Sequence, residues 1–366
     1  MKKIVAFHLY NDFSGSPKVL KTILDGLLSE GYQVDLITSE GGALDELCSR
    51  SGFRRIVCKY SFSNNQIITI FWFIIAQIKL FFISFRYILS KDIVFYINTI
   101  MPVGAAVAAK LMQKEIIYHY HENASAKGIF YQNLAYIMQK IADRIICVSE
   151  YQRSFLKRNC GIFVVPNALP KEFTEKIVVD IDKAFDCRTV LMLSSLKIYK
   201  GTLEFIQLAQ MNPSITFKLV LNETEEKIKA FYEKYSVVLP DNLIWYSRQK
   251  DVTSFYNSAS MTLNLTDKNF AIETFGLTAL ESLTAGMPVI VPSVGGISEF
   301  IIDAYNGYKK DVENLYDISE LINLILSDKE LYTNLANNAL ATASEYSVDN
   351  VLRQVKLILN NNRNND

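Results

Sequence analysis

Two glutamates eight residues apart, Glu273 and Glu281, frame the stretch whose residue types are best suited to chemistry. The turn sequence Thr274-Phe-Gly follows the first glutamate, and a helical pattern that begins near Leu277 carries the second. A helix that begins here directs its free N–H groups and the positive end of its dipole toward the loop, where both favour a phosphate. Gly276 allows close backbone approach. The alternative is that both acids are ordinary solvated helix residues.

Two lysines lie upstream of this stretch. Lys197 and Lys200 follow a strand pattern at 189–193 and precede a helix pattern at 202–210. Ammonium groups at the C-terminal edge of a strand can neutralise a departing diphosphate. We therefore expect Lys200, and by the same argument Lys197, to lie near phosphate. Exposed lysines without a ligand are the alternative for both.

Two of the three histidines, His119 and His121, end a predicted strand. Ligands of doubly wound sheets bind outside the C-terminal ends of the strands, so His121 is a candidate to contact a ligand. If the strand continues, both histidines share one face, and His119 then only supports its neighbour. A structural, hydrogen-bonded role is the alternative for each. The spacing offers no second pair of ligands, so no metal site is expected.

The loop at 12–17 is a further candidate, because it joins the first predicted strand to the first predicted helix. Gly15 and Ser16 would let the backbone approach a ligand, such as a phosphate, closely, although a plain tight turn is the alternative. The loop is not a GxGxxG sequence, so a nicotinamide cofactor is not supported.

Composition limits the class of protein. The chain has 366 residues, enough for two domains, and its 38 basic residues balance its 38 acidic ones. That balance argues against a nucleic-acid partner bound through a general basic surface. Five scattered cysteines without CxxC spacing fit reduced thiols in a cytosol. The apolar N-terminal stretch is short and is typical of a strand rather than a signal peptide.

The elements that must position these residues alternate between strand and helix patterns along both halves of the chain. Such alternation predicts parallel βαβ units and doubly wound sheets. The segment Val165-Pro-Asn-Ala-Leu-Pro170 interrupts the alternation, and a charged, irregular stretch follows it to about Arg188. The sequence therefore predicts a domain boundary near residue 170.

Residues 67–89 form an unusually apolar segment, interrupted only by Gln77, Lys79 and Arg86. Three interpretations fit it. The segment could be a buried crossover helix, a helix half sunk in a membrane surface with its cations extended toward water, or a transmembrane span. A lysine near the middle of a span is costly, which disfavours the third.

The stretch at 273–290 resembles the Glu-x7-Glu signature of the retaining, nucleotide-sugar-dependent glycosyltransferases of family four. The following Gly295-Gly-Ile-Ser-Glu299 resembles that family's G-G-x-x-E, and the sequences at 143–149 and 165–167 match two further landmarks. The resemblance covers the C-terminal half closely and the N-terminal half loosely. One departure affects the phosphate site: Ser195 stands where the family usually carries an arginine. Lys197 is a candidate to replace that cation.

The resemblance implies the GT-B fold, an α/β architecture of two Rossmann-like domains with doubly wound parallel sheets that face a cleft. We expect an acceptor domain over 1–170, a nucleotide-sugar donor domain over 171–345, and a C-terminal helix over 346–366 that packs back on the first domain. The expected catalytic residues are His121, Glu273 and Lys200. The expected donor-binding residues are Lys197, Ser195, Thr274, Phe275, Gly276, Leu277 and Glu281. Gly15 and Ser16 would form the acceptor or phosphate loop.

The resemblance also implies retaining transfer from an NDP-sugar to a hydroxyl of a saccharide or lipid-linked acceptor. Surface polysaccharide or glycolipid synthesis is the expected setting, with no metal and no cofactor beyond the sugar donor. The expected location is the cytoplasm, free or peripheral on the inner face of the cell membrane. Two rival functions stay open: an NDP-sugar epimerase on the same fold, and a non-catalytic, membrane-associated sugar-binding subunit.

Overall fold

The computed structural model describes residues 2–60, 65–158 and 160–360. The chain forms two compact units. The N-terminal unit comprises Met1–Ala168 and Val348–Asp366, and the C-terminal unit comprises Leu169–Ser347. Each unit contains one parallel sheet with helices between successive strands, which is the α/β class predicted above.

The N-terminal unit is built on a seven-stranded sheet with the order β3-β2-β1-β4-β5-β6-β7. Its strands are β1 (Lys3–Phe7), β2 (Val34–Thr38), β3 (Phe53–Val57), β4 (Ile93–Asn98), β5 (Glu115–Tyr120), β6 (Arg144–Cys147) and β7 (Ile162–Val164). Its first helices are α1 (Gly15–Ser29), α2 (Gln66–Ser84), α3 (Val103–Leu111), α4 (Ile129–Ile141) and α5 (Glu150–Arg153). The strand order reverses between β1 and β4. A crevice at such a switch point is where open α/β sheets bind ligands.

The C-terminal unit repeats this plan with a six-stranded sheet in the order β10-β9-β8-β11-β12-β13. Its strands are β8 (Thr189–Ser194), β9 (Thr216–Leu221), β10 (Leu243–Tyr246), β11 (Met261–Leu263), β12 (Val289–Val291) and β13 (Gly307–Lys309). Its helices are α6 (Lys171–Thr174), α7 (Ile181–Asp186), α8 (Thr202–Met211), α9 (Glu225–Lys234), α10 (Thr253–Tyr256), α11 (Leu277–Thr284), α12 (Leu315–Ser327) and α13 (Lys329–Glu345). The switch point here lies between β8 and β11.

The central strands are largely apolar because helices cover both sheet faces. In β4 every residue is buried, and Phe95 stacks on Phe7 of β1 with 5.3 Å between ring centroids. The sequence did not indicate β7 or β13, since each has only three residues and lies at a sheet edge. The stretch expected to be irregular up to Arg188 contains α6 and α7, so that expectation is wrong there.

The last helix of the chain, α14 (Val348–Asn360), belongs to the N-terminal unit. It packs on α1, where a Cβ added to Gly26 would lie 2.2 Å from Leu352 Cδ1. Lys2 Nζ donates to the carbonyl oxygen of Leu359 at 3.2 Å, and Arg144 Nη1 donates to that of Ile358 at 2.6 Å. These cations satisfy carbonyl groups at the negative end of the helix.

Helix α2 is attached to its unit along one side only. Phe73, Ala76 and Leu80 are buried, and Gln77 Oε1 accepts a hydrogen bond from the N–H of Gly104 in α3 at 2.9 Å. Only 22% of the most apolar stretch within Ile67–Tyr87 is buried. The interpretation of this segment as a buried crossover helix is therefore wrong for most of its surface.

The close contact between α2 and α3 yields a test of the fold. A Cβ added to Gly104 would lie 2.2 Å from the carbonyl oxygen of Gln77, which is backbone and cannot rotate away. We expect Gly104→Ala to lower the free energy of unfolding by about 2 kcal/mol, although the same change in an open helix would stabilise it by about 1 kcal/mol. Urea unfolding measures the difference.

Val107→Ala, at an exposed position of α3, is the control and should change stability by less than about 0.5 kcal/mol. Equal stability of Gly104→Ala and the parent would show that the two helices are not in this tight contact.

Candidate active site

The switch point of the C-terminal sheet brings together the loop after β8 and the loop after β11. Asp267 N–H donates to the carbonyl oxygen of Tyr199 at 2.8 Å, which ties the two loops to each other. Gly201 adopts a φ of +77°, and a Cβ there would lie 2.3 Å from Leu265 Cβ. Only glycine fits that backbone conformation and that space. The Lys200-Gly201 pair is thus fixed by packing between two loops at the sheet edge.

An ion pair between Lys200 and Glu273 lies at this edge. Lys200 Nζ donates to Glu273 Oε1, and Thr266 Oγ1 donates to the same oxygen at 3.2 Å. The Lys200 and Glu273 side chains keep 21% and 24% of their surface exposed, so both can be reached from solvent. Two of the three residues expected to be catalytic therefore lie in direct contact.

Opposing effects set the pKa of Glu273. Burial, the largest effect, acts to raise it, but the charge of Lys200 and hydrogen bonds from Lys200, Thr266 and Asn264 together lower it below its ordinary value. Glu273 is therefore a carboxylate at neutral pH and can accept hydrogen bonds from hydroxyl groups.

The loop that carries Glu273 packs on the Gly295-Gly296 loop. Gly296 N–H donates to the Glu273 carbonyl oxygen at 2.8 Å, and a Cβ on Gly295 would lie 2.6 Å from that oxygen. Gly276 has a φ of +92°, and a Cβ there would lie 2.4 Å from Ile297 Cγ1. Gly276 and Gly295 are therefore required where the loop of Glu273 packs on the Gly295-Gly296 loop, and this packing fixes the start of α11.

The residues between the two glutamates divide into packing and exposed groups. The Phe275 ring is buried and lies 5.3 Å from Phe300 and 6.0 Å from Tyr346, so contact of Phe275 with a ligand would come from its backbone. Thr274 and Leu277 are half-buried at the start of α11. Ala279 N–H and Leu280 N–H both donate to the Gly276 carbonyl oxygen, at 3.1 and 3.3 Å, so the phosphate prediction concerns the N–H groups of Leu277 and Thr278.

Glu281 is held by a residue that the sequence did not single out. The hydroxyl of Tyr256, in α10, donates to Glu281 Oε2. Tyr256 is 2% exposed. Burial, followed by the neighbouring charge and hydrogen bond of Glu281, raises its pKa well above the ordinary value. The neutral phenol thus keeps its proton and fixes the orientation of the half-buried carboxylate. A tyrosine in a short helix carries no motif, so only the structure could reveal it.

The other cations of this edge are exposed. Lys197 Nζ lies 5.8 Å from the centre of the Tyr199 ring, and Lys200 Nζ lies 5.9 Å from the same ring. Ser195 accepts the Lys197 N–H through its carbonyl oxygen at 2.8 Å. Arg248 Nε donates to Asn222 Oδ1 at 2.8 Å. Lys197 is therefore an exposed cation on the loop of Lys200, beside the Tyr199 ring.

In the N-terminal unit all three histidines of the chain gather at the switch point between β1 and β4. His121 Nε2 lies 2.9 Å from Asn98 Oδ1, and Asn98 Nδ2 lies 3.0 Å from His8 Nδ1. The ring centroids of His119 and His121 lie 4.1 Å apart. The expectation that His119 supports His121 is consistent with this contact. Asn98 and the involvement of His8 were missed, although Asn98 ends a strand as His121 does.

The hydrogen bonds of Asn98 fix the tautomers. Asn98 Nδ2 also donates to the carbonyl oxygen of Ser16 at 3.3 Å, so the amide nitrogen faces His8 and the amide oxygen faces His121. His121 Nε2 must then carry a proton, and in the neutral ring Nδ1 is the acceptor. The same amide connects His121 to the loop of Gly15 and Ser16, where Gly15 is exposed and begins α1.

Burial keeps all three imidazoles neutral. It lowers the pKa of His8 to about 4 and that of His119 to about 3. It also lowers the pKa of His121 well below the ordinary value, with further lowering from the two neighbouring histidines. Next to them, Glu122 is buried and accepts a hydrogen bond from the backbone N–H of Ile100 at 3.2 Å. Glu122 therefore stabilises the loop that follows β4. At neutral pH the His121 ring is therefore uncharged, so it can form hydrogen bonds but does not act as a general acid.

Within 2–60, 65–158 and 160–360, no group of three or more His, Cys, Asp or Glu side chains could hold a metal ion. The expectation that no metal is required concerns the reaction and stays a prediction.

Two family models match consecutive parts of the chain. "Glycosyltransferase Family 4" matches residues 13–173, and "Glycosyl transferases group 1" matches residues 173–342. With two switch-point sites on two parallel sheets, these matches define the class: the chain belongs to the family-four glycosyltransferases and has the GT-B fold. It is a glycosyltransferase.

Relatives and solved structures agree with this assignment. An uncharacterised glycosyltransferase of Haemophilus influenzae is 22% identical over 72% of this chain and 74% of its own length. One from Methanocaldococcus jannaschii is 26% identical over 70% and 71%. The crystal structure of Anabaena HepE with UDP and glucose has a TM-score of 0.78 at 18% identity, over 98% of this chain and 99% of that one. At this identity the likeness shows the fold alone.

The Lys200–Glu273 pair predicts a pH dependence. Because the pKa of Glu273 is lowered in the folded protein, the pair stabilises the fold above the ordinary glutamate pKa and loses that effect as pH falls through the folded value. Lys200→Met removes the charge and the hydrogen bond that lower the pKa of Glu273 most, so that pKa rises. We expect the acidic limb of the kcat/KM profile to move to higher pH. Lys268→Met is the control, because it removes a lysine that pairs with Asp311 in the same unit, and it should leave the acidic limb in place. An acidic limb that is also unchanged in Lys200→Met would show that Glu273 does not titrate in that limb.

The histidine cluster predicts an absence of titration. Nuclear magnetic resonance of the imidazole rings should show none of the three histidines titrating between about pH 5.5 and 8. Since their pKa values are lowered from 6.5, folding stability should decline as pH falls below about 6.5 toward 4. In Asn98→Asp the new carboxylate should raise the pKa of His121. A histidine that titrates near pH 6.5 in the parent would mean that the cluster is open to water.

Proposed function

We propose that this glycosyltransferase moves a sugar from a nucleoside-diphosphate sugar to an acceptor hydroxyl with retention of anomeric configuration. The observation that carries the proposal is the Lys200–Glu273 pair at the switch point of the C-terminal sheet. It places a cation and a carboxylate beside the start of α11, where a diphosphate and sugar hydroxyls can be bound together.

The donor is held mainly by the C-terminal unit. Glu281, oriented by Tyr256, accepts hydrogen bonds from the ribose hydroxyls. Lys200, with Lys197 on the same loop, and the first-turn N–H groups of α11 bind the diphosphate. A related fold, Anabaena HepE, has been crystallised with UDP-glucose, which makes UDP-sugars the first donors to test.

The reaction exchanges one bond for another at the anomeric carbon. The bond to the diphosphate oxygen breaks, the acceptor oxygen forms its bond on the same face, and the acceptor proton leaves with the diphosphate. Charge develops on the leaving group, so fixed cations and helix N–H groups lower the barrier most effectively there. Glu273 and the neutral His121 position the sugar through its hydroxyls, and no metal or further cofactor takes part.

The acceptor is a saccharide or a lipid-linked saccharide in surface polysaccharide or glycolipid synthesis. Support comes from a Campylobacter jejuni relative, 29% identical over 45% of this chain and 42% of its own length. Its name describes an N-acetylgalactosaminyltransferase acting on a diphospho-undecaprenol-linked sugar. Gly15 and Ser16, joined to His121 through Asn98, are the candidate acceptor loop. The enzyme would work in the cytoplasm, free or peripheral on the inner face of the cell membrane.

A donor screen tests the proposal. The protein is incubated with a panel of NDP-sugars, with and without a metal chelator, and nucleotide release and donor-dependent thermal stabilisation are measured. We expect one nucleotide class to stabilise the protein and the chelator to have no effect. Glu281→Gln should weaken donor binding by about tenfold or more, since it removes the negative charge that strengthens hydrogen bonds from the ribose hydroxyls. Glu273→Gln should lower kcat more than donor affinity.

Glu320→Gln, an exposed glutamate of α12, is the matched control and should bind donor like the parent. Unchanged donor affinity in Glu281→Gln would sink the ribose role, and turnover that survives intact in Glu273→Gln would sink the sugar-positioning role. Conversion of the donor sugar without an acceptor would identify an epimerase instead. Donor binding without turnover under any acceptor would favour a non-catalytic subunit.

A further inference from the structure

We propose that the outer surface of α2, α3 and α4 docks on an anionic lipid bilayer, with α2 parallel to the membrane plane. We call this surface, with the single 3-10 turn Phe85–Tyr87 that follows α2, the α2–α4 surface. It does not involve the donor residues, so the proposal stands or falls independently of the donor chemistry.

The α2–α4 surface is apolar and open to solvent. On α2, Phe82 is 68% exposed and Phe71 is 56% exposed. The other exposed apolar residues of the three helices are Ile67, Ile68, Ile70, Trp72, Ile74, Ile78, Val107, Leu111, Ile129, Phe130 and Tyr136. An apolar area this continuous marks an interaction site rather than ordinary scatter.

The three helices form one layer. Gly104 of α3 lies against the backbone of α2 at Gln77, and the Phe73 ring of α2 lies 5.3 Å from that of Phe130 in α4. Their exposed residues therefore belong to one surface rather than to separate places on the unit.

The attachment of α2 to its unit determines how it can meet a bilayer. Ile67–Tyr87 is the one helical segment in the described ranges that is long and apolar enough to cross a membrane. Crossing would expose Gln77 to lipid, lose its bond to Gly104, and strip the buried side chains of Phe73 and Leu80 from their neighbours. Only the outward side of α2 is available to lipid, so in this proposal the helix lies in the plane of the membrane–water interface.

The charge of this surface matches anionic headgroups. The three helices and the 3-10 turn contain no Asp or Glu but carry Lys79, Arg86, Lys110 and Lys140, although the whole chain has 38 basic and 38 acidic residues. Lys79 and Arg86 are seven residues apart and so lie on the same flank of the helix. From that flank their side chains can extend toward headgroups while Phe71, Ile78 and Phe82 enter the apolar layer.

The same charges argue against a second copy of the chain as the occupant. An isologous pair would bring the cations of both copies into one interface, with no acidic residue on any of the three helices to compensate. An anionic bilayer supplies both the apolar layer and the compensating charge.

Vesicle flotation of the full chain, without donor, tests the proposal. We expect binding to vesicles of mixed phosphatidylglycerol and phosphatidylcholine, weaker binding at high salt, and little binding to phosphatidylcholine alone. Phe82→Glu should weaken binding by about tenfold or more. Lys79→Glu and Arg86→Glu should each weaken it by about fivefold or more, through the loss of attraction to anionic lipid.

Leu357→Glu is the matched control, because Leu357 is 67% exposed, belongs to the same unit and lies outside the three helices. It should float like the parent, and circular dichroism should show that each variant is folded. Absence of binding to anionic vesicles would overturn the proposal. So would a concentration-dependent dimer that Phe82→Glu breaks, which would make the surface an interface between copies. Protein that resists alkaline extraction from the vesicles would instead indicate a transmembrane span.

Discussion

The C-terminal unit depends on compensation of a half-buried carboxylate. The loop that carries Glu273 packs on Gly295 and Ile297, which leaves only 24% of the Glu273 side chain exposed. Burial alone would favour its neutral form. The charge of Lys200 favours the carboxylate instead. Lys200 is itself positioned by the next residue, Gly201, because only a glycine fits against Leu265 there. One ion pair therefore couples the loop after β8 to the loop before α11, and the geometry of the candidate donor site follows from it.

The N-terminal unit solves the same problem without charge. Three histidines at its switch point are buried enough to remain neutral, and Asn98 joins His121, His8 and the Ser16 carbonyl into one hydrogen-bonded set. A neutral imidazole costs little to bury and can still donate or accept. The two units thus place rigid polar groups at equivalent edges of their sheets, one by ion pairing and one by exclusion of charge.

The sequence predicted the parallel α/β class because buried strands and amphipathic helices leave distinct periodicities. It also singled out Glu273, Glu281, Lys200 and His121 as candidates, since a motif or a strand end marks each of them. It could not find Tyr256 or Asn98, whose roles arise from contacts between segments distant in the chain. It missed β7 and β13, which have three residues each and lie at the edges of their sheets. The roles of the site residues in catalysis remain predictions.

The helix α2 shows why pattern alone failed for residues 67–89. Periodicity identifies the buried face of a helix only when the other face is polar. Here the packed residues Phe73 and Leu80 and the exposed residues Phe71 and Phe82 have the same chemical character, so the sequence could not separate them. Polar residues decide the matter instead. Gln77 is bonded toward α3, and Lys79 and Arg86 mark the opposite side as one that remains within reach of water. An apolar face flanked by cations matches the boundary between apolar and aqueous phases at a lipid surface, which is the occupant that we propose for it.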